Sequence, residues 1–256
     1  MKPLSVVIIT FNEEKNIARC LESVKGIADE IVVVDSLSDD HTKGICQQYG
    51  VRFIEQPFLG YIEQKNFALG QAKYDHVLSL DADEALDDTL YQSVLNAKQE
   101  GFPYDGYIMS RCANYCGKWI RHGKWYPDRK LRLLDRHKGK WGGTNPHDKI
   151  EMDAGAGIFR LQGDILHYTY YTIDEHIAQM NRFTTIQSEA MLKKGKRATI
   201  FHVVFNPVSA FITGYIFKKG FLDGVDGFLI AKSVAYQTLL KYVKLLQLQR
   251  KHNVTN

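Results

Sequence analysis

The chain has 256 residues, 45% of them hydrophobic and 24% charged, which is the composition of a folded globular protein and excludes a disordered or fibrous one. Its net charge of +4 is unevenly spread: residues 1–189 carry 22 Lys+Arg against 27 Asp+Glu, and residues 190–256 carry 11 against 2. A weakly acidic body with a strongly basic tail sends the tail to an anionic partner and gives no reason to expect nucleic acid.

Taken in order, the chain alternates strands and helices. Leu4–Thr10 is an apolar run of buried-strand type that breaks into Phe11, Asn12, Glu13 and Glu14. Asn16–Lys25 has helical spacing, with Ile17, Leu21 and Val24 on one face. Glu30–Val34 is a second strand ending at Asp35, and Ser38 or Asp39 is placed to cap a helix running to about Tyr49. Val51–Ile54 predicts a third strand, Gly60–Ala72 a helix and Val77–Leu80 a fourth strand. This rhythm predicts an α/β fold, a mainly parallel sheet with helices on both faces. In such sheets ligands bind beyond the carboxyl ends of the strands. Three of the four strand ends carry polar groups there: Thr10–Glu13, Asp35 and Asp81–Asp83. No G-x-G-x-x-G and no G-x-x-x-x-G-K-[ST] follows the first strand, so a dinucleotide site or a P-loop is disfavoured.

The stretch His76–Glu84, H-V-L-S-L-D-A-D-E, organises the rest. Carboxylates do not belong inside a sheet, so the chain is expected to leave the core at Asp81. Two Asp side chains one residue apart can face one hard cation, and Mg²⁺ or Mn²⁺ favours carboxylate oxygens beside water and substrate phosphates. An ordinary acidic strand-to-helix turn would read the same way, since Asp87 and Asp88 follow. A helix is predicted over Asp87–Lys98 and a strand over Gly106–Ser110. Residues 111–163, rich in Gly, Trp, Tyr, Arg and His, predict a partly antiparallel extension with strands at Lys130–Leu134 and Gly157–Leu161. Thr172–Lys194, Ala198–Phe217 and Phe221–Leu248 read as helices. The expected division is a catalytic region over residues 1–170 and a helical basic region over 171–256.

Cys20, Cys46, Cys112 and Cys116 lack the second Cys or His pair of a zinc site, and no disulfide framework is suggested. With no signal-peptide pattern at the start of the sequence, a reducing, cytoplasmic compartment is expected.

The ordered motifs V-V-I-I-T-F-N-E-E, I-V-V-V-D-S-x-S-D-D, Q-K-N-F-A-L and L-S-L-D-A-D-E, spread over Leu4–Glu84, resemble those of family 2 glycosyltransferases with the GT-A fold. Tyr126-Pro-Asp-Arg-Lys, Asn145-Pro-His-Asp and Gly220-Phe-Leu-Asp-Gly resemble a narrower bacterial group that adds a hexose, typically glucose onto heptose, to the inner core of lipopolysaccharide. The resemblance implies an inverting, metal-dependent transfer, from UDP-glucose, to a lipid-linked glycan. It implies that Thr10, Asn12 and Glu13 line the uridine pocket and that Asp35 accepts a hydrogen bond from uracil. Lys65 and Asn66 would border the nucleotide, Asp81 would meet the ribose or the ion, and Asp83 would hold Mg²⁺ or Mn²⁺ on the diphosphate. Asp148 is the candidate base, in a place where related sequences resemble His-Glu, and Asp128 and Asp135 are its rivals. His167 would add a metal or diphosphate contact. Arg129, Lys130 and Arg132 would meet diphosphate, an anionic acceptor or only solvent. Trp119, Trp125, Tyr126 and Trp141 suit sugar stacking or the core.

Other classes fit less well. A nucleotidyltransferase would carry a Gly-rich basic loop after the first strand. A dehalogenase-type phosphatase would need a Thr that D-A-D-E-A lacks. A non-enzymatic membrane scaffold would not need Asp35, Asp81 and Asp83 together. Ala198–Phe217 holds no charged residue, and cations flank it on both sides: Lys193, Lys194, Lys196 and Arg197 before, Lys218 and Lys219 after. Cations at both ends predict amphipathic helices lying in the interface of an anionic leaflet, on the cytoplasmic face of the inner membrane, rather than a crossing helix. The alternative is packing on the catalytic region or on a second copy of the chain.

Overall fold

The computed structural model describes residues 1–144 and 147–254. The chain divides into two compact units, the first made of residues 1–112 and 128–168, the second of residues 113–127 and of Thr169 onward. Residues 113–127, which the sequence leaves in the first region, belong to the second unit.

The first unit begins with β1 (Leu4–Thr10), α1 (Ile17–Val24), β2 (Glu30–Asp35), α2 (Thr42–Gln48), β3 (Arg52–Glu55), α3 (Tyr61–Gln71) and β4 (His76–Asp81). Strands β3, β2, β1 and β4 lie side by side and parallel, with Thr10 level with Asp35 and Ile9 level with Asp81. The alternation of β1 separates two cores. Leu4, Val6 and Ile8 pack with Ile17, Leu21 and Val24 of α1, and with Leu90 and Val94, on one face. Val7 packs with Ala68 and Leu69 of α3 on the other. A period of two along a strand buried on both sides produces this arrangement.

After β4 come β5 (Glu84–Leu86), α4 (Asp88–Gln99), β6 (Gly106–Tyr115), β7 (Lys118–Ile120), β8 (Asp128–Asp135), β9 (Gly139–Thr144), β10 (His147–Met152) and β11 (Ile158–Tyr170). Strand β8 runs antiparallel to β4 and β6, and the order continues β4-β8-β6-β11-β5. Strands β9 and β10 form a separate hairpin, whose Trp141 and Ile150 join the α3-side core. The sheet is therefore mixed, and parallel where the strand ends carry polar groups.

Two local expectations are corrected. The chain does not leave the core for good at Asp81. It returns at once as β5, whose Glu84 is buried, because two guanidinium groups and a backbone N–H satisfy that carboxylate. Helix α2 has His41 at its cap position and no side-chain cap, because that position lies three residues past Ser38, whose hydroxyl oxygen accepts from Asn12 N–H at 2.8 Å.

In the second unit, β7 pairs with the end of β6. Helix α5 (Ile173–Lys193) starts on a capping box between Thr172 and Glu175. Then follow α6 (Ile200–Ile212), a π-helical turn over Thr213–Phe217, a 3-10 turn over Gly220–Asp223 and α7 (Gly224–Val254). The Gly220-Phe-Leu-Asp-Gly motif is architectural. Asp223 accepts from the backbone N–H groups of Arg121 and His122 at 3.1 and 2.8 Å, and a Cβ on Gly227 would meet the Gly220 carbonyl oxygen at 1.9 Å. Trp125 packs among Tyr115, Tyr170 and His176.

Helix α4 is capped by Asp87, whose Oδ1 accepts from Leu90 N–H at 2.7 Å. Gly163 of β11 lies against this cap with φ +94°, and a Cβ there would meet Leu90 N at 2.2 Å and Asp87 Oδ1 at 2.7 Å. Gly163→Ala should cost at least about 2 kcal/mol, from the left-handed backbone and the disturbed cap together. Urea unfolding measures this, and a loss below about 0.5 kcal/mol, the range of a neutral surface change, would contradict the packing.

Candidate active site

The polar groups predicted from the sequence converge at the carboxyl ends of β1, β2 and β4. Two loops are laced together there. Asn12, at φ +53°, donates its backbone N–H to Ser38 Oγ at 2.8 Å, and its side-chain oxygen accepts from Asp39 N–H at 3.0 Å. Glu13 N–H donates to Thr42 Oγ1 at 2.9 Å. Asp35 is buried and accepts twice from Ser38, from its backbone N–H at 2.7 Å and from its hydroxyl. The buried Thr10 Oγ1 has no hydrogen-bond partner among the described residues.

Lys65 of α3, side chain 4% exposed, stands between two carboxylates. Its Nζ lies 3.1 Å from Asp81 Oδ1 and 2.7 Å from Asp148 Oδ2 of β10. Asp148 and Asp81, far apart in the chain, are thus joined through one ammonium. The face of Trp141 lies 4.4 Å from the same Nζ, within cation–π range. Asn66 does not point a free amide at the site. It donates to the Trp141 carbonyl at 2.9 Å and accepts from the Trp141 N–H at 3.0 Å, which fixes Trp141.

Arg132 of β8 is buried and reaches Asp81 at 3.1 Å and Glu84 at 3.0 Å. Burial alone would favour neutral Asp81, but Lys65 and Arg132 outweigh it and hold this carboxyl well below the usual range. Burial likewise opposes the charge on Arg132, and Glu84 and Asp81 overcome it. Glu84 also receives Arg111 at 3.3 Å. Sequence reasoning gives Glu84 and Arg111 no role. Arg132, between Leu131 and Leu133, carries a legible signal, since a charge inside an apolar strand needs a buried partner.

On the other side of the D-A-D turn, Asp83 Oδ2 meets His167 Nε2 of β11 at 3.0 Å. Register sets this contact: His167 pairs with Glu84, and Tyr168 N–H donates to the Asp83 carbonyl. Among the described residues no cluster of three or more His, Cys, Asp or Glu forms a protein-only metal cage. One carboxylate and one imidazole fit an ion whose remaining ligands are water and substrate phosphate.

The rivals to Asp148 are placed elsewhere. Asp135 pairs with His76, at the opposite end of β4 from Asp81. Asp128 is bound by Arg111 at 2.8 Å and Lys130 at 3.2 Å. Asn145 and Pro146, in the motif that carries Asp148, lie outside the described residues. A cavity of about 450 Å³ opens beside Asp148, lined by Lys65, Asp81, Arg111, Arg129, Lys130, Arg132, Trp141 and Lys149.

The glycosyl transferase family 2 profile matches residues 5–160, and those residues hold nearly all of the groups described here. The chain is a family 2 glycosyltransferase. A lipopolysaccharide core biosynthesis glycosyltransferase, LpsC of Rhizobium meliloti, is 31% identical over 96% of this chain and 92% of its own length. A glycosyltransferase of Rickettsia typhi is 31% identical over 98% of this chain and 89% of its own. Among solved structures, the mannosyltransferase PcManGT of Pyrobaculum calidifontis, in complex with GDP-Man and Mn²⁺, superposes with a TM-score of 0.56 at 16% identity, covering 96% of this chain and 87% of that one. This likeness extends the shared fold across the glycosyltransferase.

Burial lifts the Glu13 carboxyl of this glycosyltransferase to about 7; the hydrogen bond from Asn16 opposes the rise, and Asp83 and Asp40 add to it. Its pKa in the fold is above its ordinary value of 4.5, so the stability it contributes is complete below pH 4.5 and is lost as pH rises through 7. Glu13→Gln should therefore gain stability over wild type between those limits, with a constant gap above. Denaturant midpoints of both proteins across this range check it, and parallel curves would contradict it.

Proposed function

We propose that this glycosyltransferase moves a hexose, glucose from UDP-glucose, to a lipopolysaccharide core or similar lipid-linked glycan, with inversion. The observation that carries the reading is the convergence of Thr10, Asp35, Asp81 and Asp83 at adjacent strand ends, with Asp148 brought to Asp81 through Lys65. A relative that acts in lipopolysaccharide core biosynthesis supports the acceptor class.

In this reading the nucleoside lies over β1 and β2. The unpartnered Thr10 hydroxyl and the rigidly held Asp35 carboxylate offer it polar contacts, and the laced Asn12–Glu13 loop walls the pocket. Asp83 and His167 would hold Mg²⁺ or Mn²⁺, which neutralises charge on the departing diphosphate. Lys65 is a compact cation able to exchange a carboxylate for phosphate. Its move toward the diphosphate would release Asp148, and Asp148 then takes the proton of the acceptor hydroxyl as that oxygen attacks the anomeric carbon. Attack opposite to the leaving diphosphate inverts the configuration. Asn66 holds Trp141, and Trp141 holds Lys65.

The second unit supplies the seat at the membrane. Ile200–Phe217 is long and apolar enough to cross a bilayer, with mean hydropathy 1.5 and only 11% of its residues buried. Yet α6 packs one face on α7, with Phe211 against Phe228 and His202 against Tyr242, and contains Pro207. Its other face leaves Phe201, Val204, Phe205 and Val208 exposed, and Phe217, Leu222 and Val225 in the following turns are exposed as well. One packed face and one bare apolar face, with cations at both ends, suit a helix lying in an anionic leaflet on the cytoplasmic side of the inner membrane.

Two outcomes test these roles. Asp148→Asn should lower transfer by about 10²-fold or more while UDP binding by calorimetry is kept or strengthened, because the base acts on the acceptor and its neutralisation frees Lys65 for the diphosphate. Lost UDP affinity would make Asp148 a donor-site residue. The full chain should co-sediment with vesicles of anionic phospholipid at low salt, and high salt should weaken but not abolish this, since apolar burial is insensitive to screening. Protein that stays in the supernatant at low salt and runs as a dimer would assign the bare face to a second copy.

A further inference from the structure

The side chains that line the cavity beside Asp148 carry more hydrogen-bond donors than their neighbours use. Arg132 and Trp141 are each only 3% exposed, and both line it. Arg132 spends Nη2 on Asp81 and Glu84, while its Nε and Nη1 have no hydrogen-bond partner among the described residues. The indole Nε1 of Trp141 has none either. Buried donors left this way are costly, and all three are covered just behind the cavity wall that Arg132 and Trp141 form, where a small shift of those side chains would bring them to an acceptor group from outside. Most other cations there are matched within the protein: Lys130 by Asp128 at 3.2 Å, Lys149 by Glu151 at 3.2 Å, Arg111 by Asp128 and Glu84. Arg129 has no ion pair among the described residues and stands exposed on the rim.

We infer that this cavity binds an anionic substituent of the sugar acceptor, a phosphate or a carboxylate, with Arg132 and Trp141 as its floor and Arg129 as its entry. A planar guanidinium with two free nitrogens beside an indole N–H matches the several oxygens of such a group. The strand order sets it beside the donor region: Thr10 and Asp35 stand on β1 and β2, the unused donors stand on β8 and on the β9–β10 hairpin, and Asp81 and Lys65 border the cavity between them. Asp148 opens into the same cavity, so the inference rests on Asp148 acting on the acceptor hydroxyl. The anion would then fix which hydroxyl reaches Asp148.

Calorimetry tests this on the full chain, with delipidated core oligosaccharide as the probe in three forms: native, dephosphorylated with hydrofluoric acid, and carboxyl-reduced. UDP is titrated first, with Mn²⁺ present. The native form should bind the UDP-loaded protein, and one of the two treated forms should bind at least tenfold more weakly, which identifies the anion. Arg129→Gln, an exposed change that spares the fold, should weaken the native form by a similar factor, add little on the affected treated form, and leave UDP affinity unchanged. Three forms that bind alike, or a variant that binds the native form as wild type does, would overturn the inference. A variant that loses UDP affinity instead would give these cations to the donor diphosphate. Absence of UDP binding to wild type would sink the donor reading, while the oligosaccharide arms, repeated without UDP, would still decide for or against the anion subsite.

Discussion

The ammonium of Lys65 is the constraint on which the site depends. It is almost wholly buried and lies between Asp81 and Asp148, with Trp141 beneath it. Removing one member of a buried ion pair leaves an uncompensated charge and typically costs about 3–5 kcal/mol. Asp81 is shared in turn with Arg132, and Arg132 with Glu84, so the end of β4 is fastened to β8 and β5 by charge as well as by main-chain hydrogen bonds. The same network leaves Asp83 outside it, with His167 beside its carboxylate oxygen. One Asp of the D-A-D turn is thus committed to the protein and the other is open to an ion. Two carboxylates one residue apart are separated in role by their neighbours.

The apolar alternation of β1 carries this arrangement. A slip of one residue would exchange Val7 with Val6 and Ile8, and would turn the whole strand over between its two cores. Strands β1, β2 and β4 would then deliver Thr10, Asp35 and Asp81 to different levels. The register that stacks Thr10 on Asp35 and Ile9 on Asp81 is what makes three separate strand ends one site. Hydrophobic periodicity and site geometry have the same cause in this unit.

That shared cause makes much of the unit legible in its amino-acid order. The βαβ half announces itself through buried runs that end in polar residues, and β1 occupies Leu4–Thr10, the span its apolar run predicts. Asp35, Asp81 and Asp83 are legible for the same reason. The pairing of Asp148 with Lys65 is not, because it joins residues 83 positions apart through the β9–β10 hairpin, in which only Trp141, Ile150 and Met152 are apolar. Asn66 sits in a motif that suggests a nucleotide neighbour, and only the placement of Trp141 shows where its amide goes. Glu84 reads as a residue on its way out of the core, since a lone carboxylate gives no sign of the two arginines that meet it from β6 and β8. Ser38 reads as a helix cap, but its oxygen accepts from Asn12 N–H and its proton goes to the buried Asp35. Local chemistry is readable along the chain; long-range electrostatic pairing is not.

At the centre of the proposed reaction, Asp83 and His167 would hold a divalent ion against the diphosphate of a UDP-sugar, while Asp81 stays bound within the protein by Arg132. Calorimetric titration of UDP-glucose, with Mn²⁺ and then with chelator, in wild type and in Asp83→Asn, tests this most directly. The expected result is binding to wild type that requires the ion, and weak, ion-independent binding to the variant with its folding intact. Equal affinity with and without the ion in wild type, or a variant that keeps the full ion dependence, would contradict it.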